Sequence, residues 1–295
     1  MKPAQFSRIL CPVSFSATSR RAVESAALLA AKHDCELRLF HAVSCGTDGE
    51  RDAEALIASL FALKRHTRAR IRISAAIGYG EPVQEILAHA RLMHADLIVM
   101  GIDLRPASRA VGDTMPCSVA TQSACPVLIA RPSRARFLAE RWTGFTEILS
   151  CVDFLPASIR AADHALALAE CDHGRLTLVT VLEDEEDGAE SIEDTIGIRR
   201  HLDEICTAAR ASHGVEAVLT GVPGPDIVGF ANRVGSDLIV MGAHGGARPL
   251  RRLGATAAYV VTHAPCPVLI VPAAPPPRRG QRVESRRDHE DFVRS

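Results

Sequence analysis

Apolar residues along this chain form short, nearly continuous runs that alternate with longer segments whose apolar positions recur at helical spacing. Val, Ile and Leu dominate the runs, and unbroken runs of this kind are typical of strands that are covered on both faces. Because parallel strands need right-handed crossovers, strand and helix alternation predicts a doubly wound α/β fold. The predicted strands are 8–13, 36–43, 69–76, 96–100 and 126–130, then 147–152, 175–181, 215–220, 237–241 and 267–271.

Helix-length amphipathic segments lie between these runs, for example at 19–33 and 158–172. Gly and Pro cluster in "GYGEPVQEIL" (78–87) and "GVPGPDIVGF" (221–230), where a strand is expected to give way to a helix.

The chain repeats itself. "SRILCPVSF" (7–15) aligns with "TEILSCVDF" (146–154) at an offset of 139 residues, and "ADLIVMG" (95–101) aligns with "SDLIVMG" (236–242) at an offset of 141. "SACPVLIA" and "APCPVLIV" align at the same second offset. A repeat of this length indicates a duplicated domain rather than a solenoid unit.

We therefore predict two five-stranded parallel-sheet domains, at 1–135 and 145–273. A connector rich in charge, with the only Trp, occupies 131–145. The segment 274–295 is rich in Pro and Arg and has little to bury, so it is predicted to be a disordered tail.

Composition narrows the class of partner. Of 295 residues, 47% are hydrophobic and 23% charged, and the net charge of -1 offers no strong field for nucleic acid or an anionic membrane. The first residues show no secretory signal, and the apolar runs are too short to cross a bilayer. The expectation is a cytoplasmic protein without nucleic-acid or membrane partners.

A glycine-rich loop follows the run 237–241 and carries the candidate chemistry. Gly242, Gly245 and Gly254 allow the backbone to approach a ligand, and Ala255 and Thr256 open a predicted helix whose N–H groups favour anions. The lysine-bearing P-loop of common nucleoside triphosphatases, G-x-x-x-x-G-K-[ST], is absent. A phosphate cradle and a purely structural turn both remain open at this point.

The recurring "ILxxVD", "ADLIVMG", glycine loop and "HAPCPVLIV" resemble the universal stress protein family in a tandem arrangement, over nearly all of 7–273. The resemblance implies two Rossmann-like sheets of the adenine nucleotide alpha hydrolase-like type. It also implies that some members bind ATP through G-x2-G-x9-G-[ST] and an aspartate after the first strand.

By that resemblance the second domain binds ATP, with Mg²⁺ as a companion ion. Asp153 would meet the ribose or adenine end, and Val181 and Met241 would border the base. The phosphates would contact Gly242, Gly245, Gly254, Ala255 and Thr256.

The glycine loop of the second domain departs from the family motif. Eight residues rather than nine separate Gly245 from Gly254, and Ala255 stands where the family has a hydroxyl, which Thr256 supplies one position later. Three arginines of the loop either pair with phosphate or form a solvated face: Arg248, Arg251 and Arg252.

The first domain departs further. Ser14 stands where Asp153 stands in the second domain, Leu104 lies opposite Gly245, and Asp113 lies opposite Gly254. A carboxylate aimed at a phosphate is repulsive, so the first nucleotide site is predicted to be empty.

The resulting expectation is a stress-response protein that binds an adenine nucleotide and acts through conformation or an unknown protein partner, without being a dedicated enzyme. No residue is nominated as a general base, and His244 is interpreted as a loop residue bonded to backbone. The family resemblance also implies that the two last strands pair within the chain as a pseudo-dimer, and a homodimer of whole chains remains open.

Two other functions remain open. One is a scaffold that binds no nucleotide. The other is a thiol sensor, since Cys117 lies near a predicted helix start, where the dipole can lower a thiol pKa, and Cys11 and Cys151 lie near strand ends that face the candidate sites. The nine cysteines include no C-x-x-C pair, which argues against a disulfide framework and a zinc site.

Overall fold

The computed structural model describes residues 6–44, 49–66, 71–103, 114–131, 142, 144–182, 192–208, 214–244 and 252–272. The strands of the first half are β1 (Arg8–Pro12), β2 (Glu36–Val43), β3 (Arg72–Tyr79), β4 (Leu97–Gly101) and β5 (Val127–Ala130). Its helices are α1 (Ala17–His33), α2 (Gly49–His66), α3 (Pro82–Leu92) and α4 (Met115–Gln122).

The second half repeats this order. Its strands are β6 (Glu147–Cys151), β7 (Arg175–Leu182), β8 (Gly214–Thr220), β9 (Leu238–Gly242) and β10 (Val268–Val271). Its helices are α5 (Pro156–Asp172), α6 (Ile192–Ala208), α7 (Pro223–Val234) and α8 (Ala255–His263).

The strands form one ten-stranded sheet in the order β3-β2-β1-β4-β5-β10-β9-β6-β7-β8. Within each half, all strand pairs are parallel, which confirms the predicted doubly wound α/β fold. The halves join through an antiparallel pair, in which Leu269 of β10 lies opposite Leu128 of β5. The expected pairing of the two last strands is therefore present within the chain, while a homodimer stays a prediction.

The boundaries of the third strand, β3, differ from those predicted from the sequence. The run 69–76 was expected to be a strand, but β3 begins at Arg72 and continues through Gly78 to Tyr79. Strand β3 lies at the edge of the sheet and pairs with β2 from Glu36 opposite Arg72 to Val43 opposite Tyr79. The partner strand, rather than local hydrophobicity, sets where such an edge strand begins and ends.

Each face of the sheet carries one hydrophobic core that contains residues from both halves. The core on one side involves α1, α2, α5 and α6, and the core on the other side involves α3, α4, α7 and α8. Among the helices in the described part of the chain, none combines the length and the apolar character needed to cross a membrane.

The seam between the halves brings repeat-equivalent residues together around one small void. Equivalent pairs at the repeat offsets line it: Phe6 and Phe145, Leu29 and Leu168, Leu97 and Leu238, and Leu128 and Leu269. The apolar contents of this seam are thus symmetric, because the two halves contribute matching residues.

Charges at the edge of the seam are not symmetric. The Asp172 side chain is fully buried, and its Oδ2 accepts a hydrogen bond from the Phe145 backbone N–H at 2.8 Å. Lys32 of the first half approaches Oδ1 of Asp172 at 3.4 Å. His33, also from the first half, lies edge-on to the Phe6 ring and 3.8 Å from Cys171 Sγ.

His33 gives the seam a dependence on pH. Burial lowers the pKa of His33 below its ordinary value of 6.5, and nearby Lys32 lowers it further, while the carboxylates of Asp172 and Asp96 raise it in part. The unfolded chain therefore binds a proton on His33 more tightly than the folded protein does. Neutral His33 contributes its full stabilisation above the pKa that it has in the unfolded chain, and this stabilisation is lost as the pH falls through its pKa in the folded protein.

As the pH falls from about 7 to about 5, we expect the His33→Gln variant to lose less stability than the parent protein. The substitution removes the proton that His33 takes up on unfolding. Denaturant unfolding at each pH measures the difference. His89 and His164 also have lowered pKa values and are present in both proteins, so the difference between the two plots of unfolding free energy against pH isolates His33. Equal slopes of these plots would contradict the assignment to His33.

We also expect the separate halves, 1–135 and 145–273, to self-associate. Each would leave its last strand with an unpaired apolar edge, which favours pairing with another chain. Sedimentation and unfolding of each fragment test this, and two fully stable monomers would show that the β5–β10 pairing contributes little.

Candidate functional site

A cavity of about 400 Å³ opens at the carboxyl ends of β6 and β9. These two strands are neighbours in the sheet, and the chain proceeds from β6 outward to β7 in one direction and from β9 to β10 in the other. Open α/β sheets bind ligands at such a reversal of strand order, because adjacent loops there diverge to opposite faces. The volume falls within the range of small-molecule sites.

The cavity collects the site residues expected from sequence, as far as the structure describes them. Its lining includes Asp153, Val181, Met241, Gly242, Gly254, Ala255 and Thr256. Gly245, Arg248 and Arg251 lie outside the described residues. Asp153 follows β6, Met241 and Gly242 end β9, and Ala255 and Thr256 begin α8, so three separate elements position these groups.

Other lining residues were not predicted to contact the nucleotide. These are Cys151, Val152, Ser158, Val179, Pro223, Ile227, Ala243, His244 and Ala257. Two signals would have found some of them: Val179 and Val181 lie two apart on one face of β7, and the Gly- and Pro-rich segment 221–230 supplies Pro223 and Ile227.

The loop that presents Asp153 is held by its own hydrogen bonds. Oδ1 of Asp153 accepts from the Leu155 backbone N–H at 3.0 Å, and the Asp153 N–H donates to Ser158 Oγ at 3.1 Å. Ser158 Oγ in turn donates to the Leu155 carbonyl at 3.0 Å. Phe154 adopts a left-handed backbone with φ of 60°, which is unfavourable for a residue other than glycine. The carboxylate is thus exposed but fixed in place.

The start of α8 directs backbone donors toward the cavity. Gly254 is the N-cap and has no side chain to accept hydrogen bonds from the first turn. Its own N–H donates to the Ala243 carbonyl at 3.1 Å, which ties the helix start to the end of β9. The first-turn N–H groups of Ala255, Thr256 and Ala257 are therefore available to a ligand, and the positive end of the helix dipole favours an anion.

Gly242 has a packing role as well as a place in the lining. A Cβ atom at this position would lie 3.0 Å from Ala157 Cβ and 3.2 Å from Ser158 N. The end of β9 therefore approaches the start of α5 more closely than a larger residue allows.

His244 lies in the loop that follows β9, as expected from the sequence, and its bond to backbone stays a prediction. It is only 6% exposed and lies in the cavity lining two residues after β9 ends. The Gly254 N–H donates to the Ala243 carbonyl, which ties the start of α8 to the residue before His244. Burial of this histidine leaves no local signal in the sequence, because contacts between residues far apart in the chain determine it.

The described cysteines are poorly suited to thiol chemistry. Burial raises the pKa of Cys151 to about 12, with a further increase from the Asp153 charge. Burial likewise raises the pKa values of Cys11 and Cys117, the other two candidates. Because the thiolate is the reactive form, these three thiols are held in their inert state.

Comparison with known proteins gives a consistent result. The model of the universal stress protein family matches residues 5–131 and 144–272. Universal stress protein A homolog 1 of Coxiella burnetii is 29% identical over 138 residues, covering 43% of this chain and 96% of that protein.

Solved structures are similar in fold. A universal stress protein from Archaeoglobus fulgidus DSM 4304 superposes with a TM-score of 0.70 at 19% identity, covering 90% of this chain and 96% of that one. Another from Archaeoglobus fulgidus, solved in complex with dAMP, is 25% identical and covers 43% of this chain and 97% of its own, with a TM-score of 0.36.

We expect Gly242→Ala to destabilise the protein by about 1–3 kcal/mol, because the added methyl group meets the start of α5. Gly229→Ala is the matched control, since Gly229 lies inside α7 and an added Cβ there meets nothing within 4 Å. The control should gain about 0.5–1 kcal/mol from helix propensity. Chemical denaturation measures both, and equal effects would show that the close approach is unimportant.

Proposed function

Because this chain belongs to the universal stress protein family, we propose that its second half binds an adenine nucleotide, ATP, in the cavity between the ends of β6 and β9. Binding then alters the shape of the protein or its affinity for a protein partner in a stress response. The observation that carries the proposal is that apolar side chains, a carboxylate and a helix N-terminus line a single cavity.

The apolar wall suits a purine ring. Val179 and Val181 of β7, Ile227 of α7 and Met241 of β9 come from three different elements and line the cavity together. Ring compounds bind such walls through the loss of water-exposed apolar surface. The adenine base is accordingly placed against these residues.

The carboxylate suits ribose. Asp153 carries an acceptor-only group, and one of its oxygens already accepts from the Leu155 N–H, which fixes its direction. Sugar hydroxyls donate well to a carboxylate, and hydrogen bonds to a charged group are stronger than neutral ones. Asp153 therefore orients the ribose.

The phosphates lie at the start of α8. The N–H groups of Ala255, Thr256 and Ala257 supply donors, and the Thr256 hydroxyl replaces the one missing at position 255. Helix N-termini bind phosphate through free N–H groups and the helix dipole together.

Mg²⁺ fits this arrangement as a companion of the phosphates. Within the described residues there is no group of three or more His, Cys, Asp or Glu side chains that would hold a metal ion. Magnesium commonly keeps several waters and binds substrate phosphates with one or two protein oxygens. Asp153 and Thr256 are the lining residues with suitable oxygens.

The proposal is for binding rather than turnover. Phosphoryl transfer needs cationic stabilisation of the transferred group in addition to a metal ion. No Lys or Arg is among the described residues that line the cavity, and Arg248 and Arg251 of the glycine loop lie outside the described residues. We therefore propose nucleotide binding and assign no residue to hydrolysis.

A second candidate, a scaffold that needs no nucleotide, is favoured by one observation. The ten-stranded sheet and its two continuous cores hold both halves together through protein contacts alone. Titration with nucleotide separates the two functions.

We expect calorimetric titration of nucleotide-free protein with ATP and Mg²⁺ to show about one equivalent of binding, by the one-site geometry proposed here. Asp153→Asn keeps an acceptor for the Leu155 N–H but removes the charge, and should weaken binding about tenfold. Thr256→Pro removes a backbone donor at the second helical position and should weaken binding by about as much.

Thr256→Val is the control, since it keeps the backbone N–H and loses only the hydroxyl, at a cost of about fivefold or less. Ser14→Ala, at the equivalent of Asp153 in the first half, should bind ATP as the parent does. Absence of ATP binding by well-folded parent protein would exclude the nucleotide proposal and leave the scaffold.

A further inference from the structure

The seam between the halves lies apart from the cavity of the second half and from an equivalent cavity of the first half, at the ends of β1 and β4. Its apolar part is the same from either side, since Leu128 lies opposite its repeat equivalent Leu269. The flanking pairs exchange places when the halves are exchanged: Ile129 with Val268, and Val127 with Ile270. A strand edge of this kind can pair equally well with a second copy of the same half. The apolar contacts therefore do not determine which halves meet.

The ends of α1 and α5 are repeat equivalents that meet across this seam. At the offset of 139 residues, Lys32 corresponds to Cys171 and His33 corresponds to Asp172. Two contacts cross the seam here, from Lys32 Nζ to Asp172 Oδ1 at 3.4 Å and from Cys171 Sγ to His33 Nδ1 at 3.8 Å. Each contact joins the second-to-last residue of one helix to the last residue of the other. They are thus the two copies of one symmetric contact.

The two copies of this contact differ in charge. Burial lowers the pKa of His33 and raises the pKa of the Cys171 thiol, so these two groups meet uncharged at neutral pH. Lys32 and Asp172 meet as an ammonium and a carboxylate. All of the charge complementarity between the two helix ends therefore lies in the contact between Lys32 and Asp172.

Asp172 makes this charge contact energetically important. Its side chain is fully buried, whereas the Lys32 side chain is 28% exposed. Oδ2 of Asp172 accepts the hydrogen bond from Phe145, but Oδ1 has no hydrogen-bond partner within the described part of the chain. The Lys32 ammonium therefore offsets the burial of Oδ1. A buried carboxylate that loses its cation is strongly destabilising.

Pairing of like halves would remove this complementarity. Two copies of the second half would bring Cys171 to Asp172 twice and would bury two carboxylates without a lysine between them. Two copies of the first half would bring Lys32 to His33 twice and would place two ammonium groups at one seam. A dimer of whole chains in which like halves pair contains both of these seams. Pairing of unlike halves brings the cation and the carboxylate together.

We propose that Lys32, His33, Cys171 and Asp172 form a pairing code, which selects a first half as the partner of a second half and disfavours the pairing of like halves from two copies of the chain. An isolated half is still expected to self-associate through its strand edge, but with a less stable seam than the one between unlike halves. The pairing code does not depend on nucleotide binding, because none of its residues lines the cavity of the second half.

The test uses the full chain and builds each kind of seam inside it. Lys32→Cys with His33→Asp copies the residues of the second half into the first, and we name this protein the acidic copy. Cys171→Lys with Asp172→His copies the residues of the first half into the second and gives the basic copy. All four substitutions together give the exchange variant, in which the opposite charges meet again with the halves exchanged. Denaturant unfolding measures the unfolding equilibrium constant of each protein, and sedimentation measures its oligomeric state.

We expect the acidic copy to have an unfolding equilibrium constant about a hundredfold or more above that of the parent, because two carboxylates are buried without a cation. The basic copy should show an increase of about tenfold, since its lysines keep partial contact with water. The exchange variant should lie within about tenfold of the parent, because the charge contact forms again. Separate structural roles of the four residues would instead multiply the two losses.

A matched control exchanges the same residue types one position further along. Asp34 and His173 are repeat-equivalent C-caps, both exposed and both in the left-handed conformation. Asp34→His with His173→Asp should change the unfolding equilibrium constant by about threefold or less. A loss as large as that of the acidic copy would overturn the proposal, and so would an acidic copy as stable as the parent. An exchange variant no more stable than the acidic copy would also overturn it, whether or not the acidic copy folds.

Discussion

The antiparallel pairing of β5 with β10 is the constraint on which the rest of the structure depends. Both strands are short and completely buried, and each would otherwise be the edge of its own five-stranded sheet. Unpaired apolar edges are costly and prone to association with other chains. Once the two edges pair, two sheets become one, and helices from both halves cover the same two faces.

This pairing explains why one part of the duplicated chain has stayed symmetric while another has diverged. Leucines and phenylalanines at equivalent positions meet around the seam, where a change in volume on either side would leave a gap or a clash. The cavities lie at the ends of β1 and β4 and of β6 and β9, away from that seam. Their lining can change without loss of packing between the halves.

The two cavities show how a shared backbone supports different chemistry. In both halves the loop after the first strand carries a phenylalanine with positive φ, Phe15 and Phe154, followed by a serine that accepts a backbone N–H, Ser19 and Ser158. The scaffold of the loop is therefore the same. The linings differ by a few substitutions on this scaffold, such as Ser14 in place of Asp153.

The sequence by itself determined the fold class, the duplication and the alternation of strands and helices along the chain, because hydrophobic periodicity and internal repeats are local or directly comparable signals. Through the family resemblance it also indicated Asp153, Met241 and Thr256, which line the cavity of the second half. Tertiary structure alone decided the extent of β3, which its partner strand sets, and the burial of His244, which depends on contacts between residues far apart in the chain. It also decided the meeting of Lys32 with Asp172 and of His33 with Cys171, because residues far apart in the chain become neighbours only when the two halves share one sheet.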